Sequence, residues 1–124
     1  MTRILIVDDQ TEIRHLIRLT LDGQGYELEE APDADTARQK ILAQKPDILI
    51  LDVMMPGAMD GYGLCEAIKA SEHEKDIYVI LLTARGQQTD LDRGRAARCD
   101  TYLVKPFSPM QLNGIIRNVI EDTP

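Results

Sequence analysis

Four short runs of apolar residues punctuate the chain: Ile4–Val7, Ile48–Leu51, Ile77–Leu82 and Tyr102–Val104. Each is continuous rather than alternating. A strand with one wet face alternates, whereas a strand covered on both faces does not. The runs therefore predict central strands of a parallel sheet. Tyr26–Ala31 is a weaker strand, and its Glu27, Glu29 and Glu30 predict a place near the sheet edge.

Helical spacing fills the intervals. Ile13, Leu16, Ile17, Thr20 and Leu21 form one stripe, and Leu112, Ile115, Ile116, Val119 and Ile120 form another near the C-terminus. Gly23 and Gly25 follow the first helix, where left-handed caps are common. Asp33 or Asp35 caps a helix ending near Gln44, before Pro46. Gly61, Leu64, Cys65 and Ile68 make a third stripe. Thr89–Ala97 is the poorest helix, with Leu91 as its only large apolar residue. Its few apolar contacts predict low local stability. Strand and helix thus alternate five times. The pattern predicts right-handed crossovers and an α/β fold. The expected architecture is a doubly wound, five-stranded parallel sheet of order 2-1-3-4-5, a flavodoxin-like three-layer sandwich. Its crevice lies at the C-terminal edge, between strands 1 and 3.

Composition narrows the partners. The 124 residues predict one domain, 1–124, long enough to fold without metal or disulfide. The net charge of −7 argues against direct nucleic-acid binding, which needs a basic footprint. No apolar run approaches the roughly 18 residues of a membrane span, and no secretion signal precedes Ile4. Cys65 and Cys99 are far apart in sequence and lack metal spacing, so free thiols in a cytoplasmic protein are expected.

The polar residues fall where this topology puts a site. Asp8 and Asp9 end the first strand, Asp52 the third, Thr83 the fourth and Lys105 the fifth. Three neighbouring carboxylates repel one another, and a hard divalent cation removes that conflict. Mg²⁺ takes oxygen ligands and binds through one or two carboxylates. A carboxylate facing a metal, an ammonium and a hydroxyl suits phosphoryl transfer, with charge on the phosphoryl oxygens neutralised while the carboxylate attacks.

Five segments, in order, resemble a response-regulator receiver domain. They are Ile4-Leu5-Ile6-Val7-Asp8-Asp9, Leu51-Asp52-Val53-Met54-Met55-Pro56, Met59-Asp60-Gly61, Thr83-Ala84 and Tyr102-Leu103-Val104-Lys105-Pro106-Phe107. The resemblance covers essentially the whole chain. It implies a two-component signalling switch in which Asp52 accepts a phosphoryl group from a histidine kinase or phosphotransfer protein. It implies Asp9 as the main Mg²⁺ ligand, Asp8 as its partner, and a backbone carbonyl from Met54. Lys105 would pair with the phosphoryl group, Thr83 would swing toward it, and Tyr102 would turn inward behind. The Lys105–Pro106 bond would be cis. Output would run through the face formed by the fourth helix, fifth strand and fifth helix, to an output domain or downstream protein.

Departures from the family pattern carry their own expectations. The interval from Asp52 to Gly61 is one residue longer than usual, which alters the loop around Gly57-Ala58-Met59. Arg98 stands where many receivers have glycine, so a positive φ there would strain it. Thr101 and Gln111 replace acidic residues common in receivers that dimerise ahead of winged-helix domains. That dimer mode is less supported, and a homodimer stays open.

Two alternatives remain beside the switch. One is a phosphorylation-independent interaction module on the same fold. The other is an aspartate-nucleophile phosphatase, which normally has a second aspartate where this chain has Met54. Without that group, slow self-dephosphorylation is expected, with Met54 and Arg85 flanking the site and controlling water access. His15 reads as an exposed helical histidine and His73 as part of a solvated charged loop. Arg93, Arg95 and Arg98 read as a solvated helix face, with a partner contact as the sharper alternative. Met54, Met55 and Met59 read as loop filling or an adaptable contact surface.

Overall fold

A computed structural model describes residues 1–84 and 88–121. Strands and helices alternate as β1 (Arg3–Val7), α1 (Thr11–Leu21), β2 (Glu27–Ala31), α2 (Ala34–Ala43) and β3 (Ile48–Asp52). They continue as α3 (Gly61–Ala70), β4 (Tyr78–Thr83), α4 (Gln88–Ala97), β5 (Thr101–Val104) and α5 (Pro109–Glu121). The strands form one parallel sheet of order β2-β1-β3-β4-β5.

The continuous apolar runs are two interleaved half-patterns. Leu5, Val7, Leu49, Leu51, Val79 and Leu81 face one core with residues of α2 and α3. Ile4, Ile6, Ile48, Ile50, Ile80 and Leu82 face a second core with residues of α1 and α5. Each strand residue is buried because both faces are covered, which is why no alternation shows in the sequence. Glu-rich β2 sits at one edge, and its burial alternates. β5 forms the other edge, so Val104 is exposed despite lying in an apolar run.

Local signals set the helix ends. Asp33 is the cap of α2, accepting the Thr36 amide at 2.7 Å. Asp60 caps α3 by accepting the Gly63 amide at 2.9 Å. Ser108 and Gln111 cap α5 reciprocally, each side chain accepting the other's amide. Two expectations need correction. Leu16 is 41% exposed, so the buried stripe of α1 narrows to Ile17 and Leu21, with Ile13 half-buried. The loop around His73 is not wholly solvated: Glu74 is buried and paired with Arg38 at 2.6 Å.

Arg98 has φ 65°, the left-handed conformation that closes α4. Its amide donates to the Arg95 carbonyl and the Cys99 amide to the Gly94 carbonyl, the two bonds of a Schellman cap. The Lys105–Pro106 bond is cis, as the family resemblance implies.

Candidate functional site

The site forms where β1, β3, β4 and β5 end. Parallel packing puts all four C-terminal ends on one rim. Asp52 is the last residue of β3 and Thr83 the last of β4. Asp8, Asp9 and Lys105 lie just beyond β1 and β5 rather than within them. One carboxylate oxygen from each of Asp8, Asp9 and Asp52 lies within 4.8 Å of the others. Lys105 Nζ stands 3.0 Å from Asp8 Oδ2 and 3.5 Å from Asp52 Oδ1. A cleft of about 630 Å³ opens over Asp9, Asp52 and Lys105, with Met54, Pro56 and Ala84 on its walls.

Burial differs sharply among the three acids. Asp8 and Asp52 are buried, whereas Asp9 is exposed. Burial and the neighbouring Asp8 charge push the Asp52 carboxyl up to about 6. The Met54 amide and Lys105 oppose that rise. The Met54 amide donates to Asp52 Oδ1 at 3.2 Å.

Asp8 is held from several sides. Its amide donates to the Ala31 carbonyl at 3.2 Å. Its Oδ1 accepts the Gln10 amide at 2.9 Å, and its carbonyl accepts Arg14 Nη1 at 2.7 Å. Arg14 also donates to Glu30 on β2. The sequence marks Glu30 only as an edge-strand residue and Arg14 not at all, because their pairing spans two elements.

The donor set fits a hard divalent cation. It offers carboxylate oxygens, one of them solvent-facing, and an Asp52 whose ionised form is disfavoured while its charge is unshared. Asp8, Asp9 and Asp52 are the residues that would hold such an ion.

The remaining predicted residues are distributed around this cluster. Thr83 is buried at the end of β4, and its carbonyl accepts the Lys105 amide at 2.7 Å. The Met54 side chain is 72% exposed, and Met55 fills the core. Tyr102 directs its hydroxyl to the Leu91 carbonyl of α4, at 3.1 Å. Arg85 lies outside the described residues. Arg93 is engaged within the chain: its guanidinium lies 4.2 Å from the Tyr62 ring centroid and 3.4 Å from Asp60. It therefore belongs to the α3–α4 contact and is not simply a solvated charge. Cys65 and Cys99 are both free, as expected. Burial pushes the Cys65 thiol up to about 12 and raises Cys99, so neither is primed as a thiolate.

This fold with acids at the ends of β1 and β3 and a lysine after β5 defines a receiver architecture. The chain belongs to the response-regulator receiver domain family, whose model matches residues 4–117. It is 43% identical over 118 residues to the Probable transcriptional regulator ycf27 of Galdieria sulphuraria, covering 95% of this chain and 45% of that one. It is 39% identical over 120 residues to the phosphate regulon transcriptional regulatory protein PhoB of Pseudomonas aeruginosa, covering 97% and 52%. The solved structure of the chemotaxis protein CheY4 of Vibrio cholerae matches with a TM-score of 0.88 at 33% identity, over 96% of this chain and 98% of that one. The chain spans about half the length of the curated relatives it matches. It is thus a regulatory domain of two-component response regulators rather than a conventional enzyme. Among the described residues, no helix is long and apolar enough to cross a membrane.

Proposed function

We propose that residues 1–124 act as one phosphorylation-driven switch, with Asp52 as the acceptor. The carrying observation is the convergence of Asp8, Asp9 and Asp52 around a lysine that reaches two of them. Asp52 Oδ attacks the phosphorus of a phosphohistidine or small acyl phosphate. The donor's bond to phosphorus breaks, and an aspartyl phosphate forms. Mg²⁺, held by Asp8, Asp9, Asp52 and the Met54 carbonyl, would neutralise charge on the phosphoryl oxygens. Lys105 shifts its ammonium from the carboxylates to the phosphoryl group. Thr83 donates its hydroxyl to a phosphoryl oxygen, and Tyr102 follows into the space behind it.

The readout is the face made by α4, β5 and α5. Moving a two-state equilibrium from mostly off to mostly on takes about 5 kcal/mol of differential interaction. A doubly charged group contacting Lys105 and Thr83 is of the right order to supply it. The donor would be a cytoplasmic histidine kinase or phosphotransfer protein, and the target an output domain or downstream protein. Hydrolysis by water at phosphorus would return Asp52 and inorganic phosphate slowly. Met54, a thioether side chain, offers no acid or base to speed that step.

The test is intact mass after incubation with acetyl phosphate, in MgCl2 and in chelator, for the parent and Asp52→Asn. One added phosphoryl group that requires both Mg²⁺ and Asp52 supports the reading. An adduct on Asp52→Asn, or one indifferent to chelator, counts against it.

A further inference from the structure

We propose that Arg14 is a positioning residue that sets the affinity of the acidic cluster for a divalent cation. This rests on the reading of Asp8, Asp9 and Asp52 as the metal-holding set. The ladder between β1 and β3 ends at the Val7–Leu51 pair. Asp8 lies beyond the last paired residue of both β1 ladders, yet it is buried. A buried carbonyl needs a donor. Arg14 supplies it from α1, six residues along the chain, at 2.7 Å.

The same guanidinium is anchored behind. Its Nε donates to Glu30 Oε1 at 3.1 Å, and its Nη2 to Thr11 Oγ1 at 3.4 Å. The second oxygen of Glu30 accepts Arg18 at 3.1 Å. The Arg14 side chain is only 16% exposed. The turn carrying Asp8 and Asp9 is therefore tied to both α1 and the end of β2 through one planar fork. A lysine ammonium can bridge a carbonyl and a carboxylate, as Lys40 does between the Glu30 carbonyl and Glu29, but it lacks the rigid planar fork that here also reaches Thr11.

The sign of the effect separates positioning from simple charge. Arg14 is a cation near a cation site. Removing it would, by electrostatics alone, tighten Mg²⁺ binding. Loss of positioning would weaken it. Arg14→Lys keeps the charge, so electrostatics alone predicts no change there.

The experiment is titration of the full chain with MgCl2 by calorimetry, for parent, Arg14→Lys and Arg14→Leu. Hydrogen exchange is followed at the Gln10 amide, which is bonded to Asp8 Oδ1. Both variants are expected to bind Mg²⁺ about 10-fold more weakly, the scale of outer-sphere ligand supports. Gln10 exchange is expected to accelerate while amides of β3 and β4 stay protected. Unchanged affinity in Arg14→Lys, or tighter binding in a folded Arg14→Leu, overturns the positioning role and leaves the metal reading standing. A parent that takes up no Mg²⁺ overturns both. Should Arg14→Leu fail to fold, Arg14→Lys alone decides.

Discussion

Gly94 leaves open the volume that the Tyr102 phenol fills. A methyl group built at Gly94 would coincide with the hydroxyl and ring of Tyr102. Through this notch the hydroxyl reaches the Leu91 carbonyl, one turn back along α4. Position 94 thus governs where the aromatic residue of β5 can rest against α4.

A double-mutant cycle tests that coupling. Gly to Ala in a helix interior is worth about 1 kcal/mol by propensity alone. In the parent, the methyl must also evict the phenol and break a hydrogen bond worth about 1 kcal/mol. Urea unfolding is expected to show no gain for Gly94→Ala in the parent. In a Tyr102→Ala background the same change should stabilise by about 1 kcal/mol. The same effect in both backgrounds would mean that the two residues are not coupled.

Asp52 predicts a pH dependence in chelator. Its folded pKa of about 6 lies above its ordinary 3.8. The folded chain therefore holds this proton more tightly, and stability is highest below the ordinary value. That stability is lost as pH rises through about 6. Asp52→Asn removes the buried charge. It is expected to stabilise the metal-free chain by on the order of 2–3 kcal/mol at pH 7.5 and by little near pH 4. Urea unfolding at both pH values checks this, and an equal effect at the two would contradict the assignment to Asp52 ionisation.

Lys105→Met removes the cation paired with buried Asp8. Stripping one partner from a buried pair costs about 3–5 kcal/mol. The loss is expected in chelator and should shrink in MgCl2, where a divalent ion can take over the neutralising role. Mg²⁺ should therefore stabilise Lys105→Met more than it stabilises the parent. The comparison is the rise in unfolding midpoint with MgCl2 in each protein.

The strands were legible because burial on both faces leaves continuous apolar runs, and their order put Asp8, Asp9, Asp52 and Lys105 on one rim. That convergence follows from parallel strands ending together, so no side-chain detail was needed. Contacts between elements were less legible. Arg14 meets Glu30 across 16 residues of chain, and nothing in either local pattern marks the pair. The role of Gly94 emerges only once Tyr102 of β5 is packed against α4. Arg98 was an intermediate case. Its place after α4 suggested a left-handed residue, and only the backbone shows the φ of 65°. The roles of the rim residues in phosphoryl transfer come from the family resemblance and the chemistry of the cluster, not from the strand pattern.

Gly61 is where the helix after the site meets the strand before it. A Cβ there would collide with the Asp52 carbonyl and stand 2.7 Å from Val53 Cα. Both are backbone atoms, so no rotamer change relieves the clash. The Gly61 amide also donates to the Val53 carbonyl at 3.2 Å, which fixes this close approach. The loop between Val53 and Asp60 therefore leaves the α3 start docked on the exit of β3. Gly61→Ala must push α3 away or move the backbone that carries Asp52. Overpacking of this kind costs about 1–3 kcal/mol, and more where backbone must yield. Urea unfolding is expected to show a loss at or above the top of that range. Gly63→Ala provides the contrast, because its Cβ would meet chiefly the Met59 side chain, at 3.1 Å. That thioether can move aside, so the cost should be under about 1 kcal/mol. Comparable losses at positions 61 and 63 would show that the β3 backbone yields, and that the docking of α3 does not hold Asp52 in place.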